Sequence, residues 1–271
     1  MRKLIVAFTL LVILLSLVAS LAGVISYGHN SYRIFTTARG EIVEVQDAGI
    51  YGYSLRTLVT SGIPWDFVRL SVAIPVLLIS FLLYLQGSLR GTAVFIGSLA
   101  SFLYQYLLWT FDWAYNSLFL VYVALFSLSL WTLILVVTRV DGTEVREAIG
   151  DRFPVRTTAG FSFALGGILL LKCLGEILPG LGSGAMPIGM VGYYTLVDQA
   201  LDIGLLAPFC VVIGVLLLRH ESLGYLLAPS MLIVVPQIDA WIPVFIYQGN
   251  PDIIRASGDW RLSPTGGGLQ L

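Results

Sequence analysis

Residues 4–25 form the apolar stretch LIVAFTLLVILLSLVASLAGVI, which contains no charged side chain. A helix needs about 20 mostly apolar residues to cross a hydrocarbon layer about 30 Å thick, so this stretch predicts a transmembrane helix. Six further runs have the same character, and they are continuously apolar rather than alternating, which favours helices over a barrel. They are Phe67–Leu85, Thr92–Phe111, Leu118–Val137, Thr158–Leu178, Leu201–Leu218 and Leu223–Phe245.

The composition agrees with a fold surrounded by lipid. The chain is 57% hydrophobic and 11% charged, whereas a soluble domain carries about 25% charged residues. An aqueous protein of this length could not bury that much apolar surface in one core. The net charge of −1 provides no basic face for nucleic acid, which we exclude as a partner. We therefore predict an all-α integral membrane protein, a bundle of about seven transmembrane helices.

The first run also has features of a signal peptide. Met1-Arg2-Lys3 is a basic start, and Val18-Ala19-Ser20 resembles a cleavage site. The apolar stretch is longer than the 7–15 residues of an ordinary signal-peptide core, so we interpret it as a retained helix.

Basic residues indicate how the bundle is oriented. With the N-terminus in the cytoplasm, the cytoplasmic segments hold eight Lys or Arg residues and the opposite segments hold five. Because Lys and Arg are enriched on the cytoplasmic side, we predict an N-terminus in the cytoplasm. Seven spans would then place the C-terminus outside, in a plasma (inner) membrane.

The chain is expected to form one transmembrane domain over residues 1–250, followed by an extracytoplasmic tail at 251–271. The longest polar segment, residues 27–66, would cap the outer mouth of the bundle, and Tyr32–Thr37 and Glu41–Val45 around Gly40 predict a small β-hairpin within it. An ordinary loop is the alternative. Residues Ser54–Thr60 are expected to form a short surface helix. The two halves show no matching pattern that would predict an internal repeat.

Ionisable and polar residues within the spans indicate where a functional site would lie, because such residues are costly in lipid and face the bundle interior. Lys172 and Glu176 lie four residues apart on one helix face, as do Asp198 and Asp202. We hypothesise one shared site near the outer leaflet, in which Lys172 is the positive centre and the others bind a cation or protons. The predicted site residues are Lys172, Glu176, Asp198, Asp202, Gln237 and Asp239.

A purely structural interpretation stays open for these residues. Lys172 would then pair with Glu176, and the aspartates would cap helices at the interface. The aromatic run from Tyr104 to Tyr115 has two interpretations, an interfacial belt or a stacking site for a ring-bearing ligand. Pro208 interrupts the sixth span and predicts a bend with freed carbonyl groups. We find no metal-binding motif and no set of catalytic residues, and the sequence does not identify a cofactor.

Two segments carry a resemblance to other proteins. Residues Gln86–Gly91 and Ala114–Leu130 resemble a group of uncharacterised prokaryotic multi-pass membrane proteins. The resemblance implies a prokaryotic plasma membrane and brings no activity or site residues with it.

Three functional hypotheses follow, in order of preference. The first is transport or sensing of a small solute, ion or proton through an outward-facing polar pocket. The second is a non-catalytic subunit or scaffold of a larger membrane complex, which would require a membrane-protein partner. An intramembrane enzyme comes third, because the spans contain no recognisable nucleophile or acid–base set. The lipid bilayer is the expected partner in all three cases.

Overall fold

The structure is a computed structural model, and it describes residues 1–26, 31–149, 153–183, 187, 190 and 192–234. Helices dominate these residues. They are α1 Arg2–Ile25, α2 Arg56–Leu85, α3 Leu89–Phe111, α4 Phe119–Val137, α5 Gly142–Ile149, α6 Val155–Ser183, α7 Val197–Leu218 and α8 Ser222–Val234. Two strands, β1 Tyr32–Thr36 and β2 Ile42–Gln46, lie between α1 and α2.

Six helices of the described residues are long and apolar enough to cross a membrane, namely α1, α2, α3, α4, α6 and α7. This confirms the prediction of a multi-pass helical fold. Helix α8 is also apolar but shorter, and the seventh predicted span, Leu223–Phe245, is described only as far as Val234. The predicted tail at 251–271 lies outside the described residues.

The second span begins earlier than the sequence indicates. Helix α2 runs without interruption from Arg56, so the stretch Ser54–Thr60 is helical from Arg56, as predicted, but belongs to the long span and is not a short surface helix. Polar residues lower the hydropathy of residues 56–66, yet Val59 and Ile63 pack into the hydrophobic core. Asp66 is consequently an interior residue of a long helix and not the end of a loop.

The predicted hairpin is present. Strands β1 and β2 pair antiparallel, with Phe35 opposite Val43. Gly40 closes the turn with φ +82°, a conformation that glycine adopts without strain. The side chains of Val43 and Val45 are buried, so one face of the hairpin packs on the rest of the protein. We call this side of the bundle the hairpin end.

Helix directions follow from polar contacts at the two ends. At the hairpin end, Gly192 N donates to Glu41 Oε2 at 3.0 Å, which places the start of α7 beside the hairpin. At the opposite end, Arg2 Nη2 donates to the carbonyl of Leu85 at 3.0 Å. Helix α3 lies at the centre of the bundle, where it contacts α2, α4 and α8. Helix α6 packs mainly on α7.

The hairpin of helices α2–α3 is repeated as α7–α8, which the sequence analysis did not detect. Both first helices contain one π-helical turn, Arg69–Ala73 in α2 and Asp202–Leu206 in α7, and each turn is followed by a proline. Two residues after the end of each of these helices the chain has a positive φ, at Gly87 in one case and at His220 in the other. The expectation of no internal repeat is therefore wrong.

The correspondence extends to the close packing inside each helix hairpin. A Cβ at Gly91 would overlap Leu83, and a Cβ at Gly224 would lie 2.9 Å from Leu216 Cβ. Ser88 N donates to the Leu83 carbonyl, and Glu221 N donates to that of Leu216. Corresponding residues are always 133 positions apart along the chain, as for Leu83 and Leu216, Ser88 and Glu221, and Gly91 and Gly224.

The two repeats meet at equivalent positions. A Cβ at Gly97 on α3 would lie 3.1 Å from Cα of Ser230 on α8, and these two residues correspond in the repeat. Because both helix hairpins start at the hairpin end, the repeats run in the same direction, and their equivalent helices α3 and α8 are in contact. We call α1–α4 the first half and α6–α8 the second half.

Candidate functional site

Two groups of buried polar residues lie at the two π turns. The first we call the Arg69 cluster, and it contains Ser20, Tyr51, Asp66, Arg69, Tyr106 and Trp109. The second we call the Asp202 cluster, and it contains Tyr104, Cys173, Glu176, Gln199 and Asp202. Asp66, Arg69 and Asp202 are at most 4% exposed. A π turn widens a helix by one residue and often marks a functional position.

The Asp202 cluster contains several of the residues predicted from the sequence. Tyr104 donates from its hydroxyl to Asp202 Oδ1 at 2.6 Å, and Cys173 Sγ lies 3.8 Å from Oδ2. Gln199 Nε2 donates to Glu176 Oε2 at 2.8 Å. The hydrogen bond from Tyr104 joins α3 of the first half to α7 of the second. Asp202 is thus bound by groups from both halves of the protein.

Lys172 and Asp198 lie beside this cluster on its exposed side. The charge of Asp198 interacts with those of Asp202, Lys172 and Glu176. The structure therefore brings four of the six predicted site residues into one neighbourhood. The other two, Gln237 and Asp239, lie outside the described residues.

The Arg69 cluster was not predicted, although Arg69 could be recognised as a basic residue at the edge of a span. Arg69 Nη1 donates to Asp66 Oδ1 at 2.7 Å and to Ser20 Oγ at 3.2 Å. Its guanidinium carbon lies 4.9 Å from the Tyr106 ring centroid and 4.7 Å from that of Trp109. These are the distances of cation–π contacts, which compensate part of the cost of burying the charge.

Tyr51 connects the loop after β2 to this cluster, since its hydroxyl donates to Asp66 Oδ2. Burial, together with the negative charge of Asp66, raises the pKa of Tyr51 well above its usual value, so the hydroxyl keeps its proton. Gly23 makes room for this pair, because a Cβ there would overlap Asp66. Among the described residues, Arg69 Nη2 has no hydrogen-bond partner. It lies beside a crevice of about 30 Å³, which has room for a water molecule.

A larger cavity lies at the hairpin end, between the β-hairpin and the starts or ends of the helices. Its volume is about 330 Å³, and its lining includes Glu41, Asp112, Trp113 and Tyr193. Burial, together with the charge of Asp198, raises the pKa of Asp112 to about 7. Burial and the charges of Asp112 and Asp198 raise the pKa of Tyr193. The acidic groups of the cavity and of the Asp202 cluster are therefore electrostatically connected.

The cavity also connects to the Arg69 cluster through stacked rings. Trp113, which lines the cavity, is stacked on Trp109 with ring centroids 4.8 Å apart. Trp109 in turn faces the Arg69 guanidinium. Gly62 allows this arrangement, because a Cβ there would overlap the Trp113 ring. The hairpin-end cavity is therefore in contact with the Arg69 cluster through its aromatic rings, and it is linked to the Asp202 cluster by the charge interaction of Asp112 with Asp198.

The chemistry available here is ion pairing, hydrogen bonding and proton exchange on carboxylates. Within the residues that the structure describes, no group of three or more His, Cys, Asp or Glu side chains could hold a metal ion. Buried carboxylates in a membrane are expensive unless they are paired, protonated or bound to a cation. Asp202 and Asp112 are the described carboxylates whose positions suit such exchange.

Fold and site together define a multi-pass helical membrane protein that has two parallel repeats and a buried ionisable residue at the π turn of each. No protein-family model matches the chain, no curated protein matches its sequence, and no solved structure matches its fold. No activity therefore transfers to this chain from a relative.

Proposed function

We propose that this protein moves or senses a small solute, ion or proton through a polar pocket that opens at the hairpin end. The observation that carries the proposal is the pair of equivalent π turns, each with a buried ionisable residue, Arg69 in one half and Asp202 in the other. The hairpin-end cavity would be the mouth of this pocket, and the Asp202 cluster its inner site.

The physical support comes from what a membrane allows. Irregular backbone and charged groups are tolerated in a span only where they are buried in protein or line a polar path. Interrupted helices at corresponding positions of two repeats are a recurrent feature of transporter binding sites, which lie between the repeats. Here the hydrogen bond from Tyr104 to Asp202 crosses between the two halves. A relative shift of the halves would change the surroundings of that carboxylate.

We further propose that the chain lies in a prokaryotic plasma membrane with its N-terminus in the cytoplasm and the hairpin end outside, which would place the C-terminus outside as well. The test is labelling of intact cells with a membrane-impermeant maleimide. Ala38→Cys, at the exposed hairpin turn, should react, and Glu147→Cys, exposed on α5, should not. The reverse result would invert the orientation.

Flux through reconstituted protein tests the function itself. Proteoliposomes that contain an entrapped pH-sensitive dye receive an imposed potassium diffusion potential with valinomycin, and proton entry is followed. We expect wild-type protein to conduct well above empty liposomes, and Asp202→Asn to conduct at least about tenfold less, because the variant side chain cannot carry a proton. Glu147→Gln is the matched control. It also removes one carboxylate, but at an exposed position away from both clusters.

Size-exclusion profiles and melting temperatures of each variant establish that it is folded. A voltage-sensitive dye in the same liposomes extends the test to other ions. If folded wild-type protein carries no proton or other ion above the empty liposomes, or if Asp202→Asn conducts like wild type, the proposal is refuted. An inactive protein that purifies from mild detergent only in a stable hetero-complex would instead support a role as a subunit.

A further inference from the structure

The hairpin-end cavity has a wall of aromatic side chains. Trp113 is fixed in place, because it is 9% exposed and its ring centroid lies 4.8 Å from that of Trp109 and 4.5 Å from that of Tyr51. The other rings surround it with differing exposure, so the cavity has a rigid floor and an accessible rim. These rings belong to Phe35, Tyr53, Phe111, Tyr193 and Tyr194.

The cavity is lined by two carboxylates, and the structure describes no hydrogen-bond or ion-pair partner for the side chain of Asp112. It is half-buried at the end of α3, and it makes no hydrogen bond or ion pair through its side chain with any residue that the structure describes. Glu41, in contrast, accepts hydrogen bonds from Gly192 N at 3.0 Å and from the Thr37 hydroxyl at 3.2 Å. A carboxylate without a partner at the edge of an apolar cavity favours a bound cation.

The other charged residues of the cavity lining do not offset the negative charge of Asp112. Arg39 and Glu41 carry opposite charges and lie on the same hairpin turn, so their long-range effects largely cancel. The Arg39 guanidinium is also engaged, since Nη2 lies 3.4 Å from the Tyr194 carbonyl. Asp112 also interacts with the negative charge of Asp198, so the electrostatic potential around Asp112 is negative. An anionic ligand is therefore disfavoured.

From this combination we infer that the hairpin-end cavity binds a small organic ammonium ion, held by Asp112 and by the aromatic rings around Trp113. Aromatic faces attract ammonium groups through their quadrupoles, and they can do so for a quaternary ammonium ion, which has no hydrogen-bond donor of its own. A volume of about 330 Å³ is at the lower end of the range for ligand pockets, which fits a small ligand.

This inference deepens the proposed function, because it names the substrate class of the same pocket, and it rests on that function for the idea that the ligand is moved or sensed. The stacked pair Trp113–Trp109 and the charge interaction between Asp112 and Asp198 link the bound cation to both buried clusters. Occupation of the cavity would thus be felt at Arg69 and at Asp202.

The experiment compares two ligands of equal shape and different charge. Choline and its neutral carbon isostere, 3,3-dimethylbutan-1-ol, are titrated by calorimetry into the full-length protein in lipid nanodiscs. We expect choline to bind at least about tenfold more tightly than the isostere, a difference of about 1.4 kcal/mol. Asp112→Asn should weaken choline binding at least about tenfold, and Phe111→Ala, at the exposed rim, should weaken it severalfold. Glu147→Gln should bind choline as wild type does.

Choline binding should also strengthen as the pH rises through about 7, where Asp112 loses its proton. The titratable and charged groups that face Asp112 are Asp198, Tyr193, Glu41 and Arg39. The Asp112→Asn variant should lose this pH dependence.

Three results would overturn the inference: no choline binding to folded wild-type protein, equal affinity for choline and the isostere, or wild-type affinity in Asp112→Asn. Loss of choline binding with intact Asp202-dependent flux would refute the ligand class alone. Choline binding without flux of choline, protons or other ions would refute transport and leave the binding site standing.

Discussion

The buried ion pair of Asp66 and Arg69 gives the sharpest prediction about stability. Arg69→Met removes the cation but keeps an unbranched side chain, so Asp66 would remain in the core with the hydrogen bond from Tyr51. Removal of one partner from a buried ion pair costs about 3–5 kcal/mol, because the other charge is left without compensation. Arg69→Met also loses two cation–π contacts, with Tyr106 and Trp109.

The double variant Asp66→Asn/Arg69→Met should be much less destabilised than the sum of the two single variants. Neither charge remains in it, and an Asn at position 66 can still accept the Tyr51 hydrogen bond. Thermal unfolding in detergent or nanodiscs, followed by intrinsic fluorescence, measures the effect. With about 2–4 °C per kcal/mol for a chain of 150–250 residues, Arg69→Met should lower the melting temperature by about 6–20 °C.

The exposed pair Arg146–Glu221 provides the matched control. Its charged atoms lie 3.5 Å apart, and both side chains are more than half exposed. Arg146→Met should therefore cost only about 0–1 kcal/mol. Additive effects of the Asp66 and Arg69 substitutions, within about 0.5 kcal/mol, would show that the two residues are not coupled and would refute this description of the cluster.

Two further substitutions test packing and protonation. Gly23→Ala should lower the melting temperature, because its Cβ would separate the hydrogen-bonded pair Asp66–Tyr51, whereas Gly167→Ala, whose Cβ meets nothing within 4 Å, should leave or slightly raise it. Equal melting temperatures for the two variants would contradict the packing described at Gly23. For Asp112, the folded-state pKa of about 7 lies above the ordinary 3.8, so the folded protein holds a proton that the unfolded chain releases, and stability should fall as pH rises between these values. A pH series of melting temperatures should show a steeper fall in wild type than in Asp112→Asn, because other carboxylates contribute equally in both proteins, and identical slopes would contradict the burial of Asp112.

The ends of the transmembrane helices could be predicted where an uninterrupted apolar run stops at the end of the helix. The first helix ends at Ile25 and the fourth at Val137 in both the prediction and the structure. The hairpin could also be predicted, because alternation around Gly40 specifies strand pairing between neighbours in sequence. These features depend on short stretches of chain, which is why one sequence is enough to find them.

The Arg69 cluster could not be predicted in this way. The polar residues of the segment before Phe67 lower its hydropathy, and only contacts with distant residues reveal that Asp66 is interior. Those contacts come from Ser20 on α1, through Arg69, and from Tyr51 in the loop. Hydropathy averages over side chains and does not report which of them point toward another helix.

The repeat was missed for a related reason. What the two halves share is backbone geometry, and the residues that produce it differ in type. A left-handed residue follows both first helices, but it is Gly87 in one and His220 in the other. Of the charged residues at the π turns, one is basic and one acidic. A signal was nevertheless present, because Arg69 and Asp202 each stand six positions before a proline.

The equivalent charges are held in different ways, and this difference assigns different roles to the two clusters. The hydrogen-bond and cation–π partners of Arg69 among the described residues belong to the first half, so the pair with Asp66 would survive a relative shift of the halves. Asp202 is bound by Cys173 from its own half and by Tyr104 from the other. A shift of the halves about the contact of Gly97 with Ser230 would change the hydrogen bond from Tyr104 to Asp202 and leave the pair of Asp66 and Arg69 intact. Under the proposed function, the Asp202 cluster is therefore the one expected to respond to movement between the halves, and the Arg69 cluster is expected to stay unchanged.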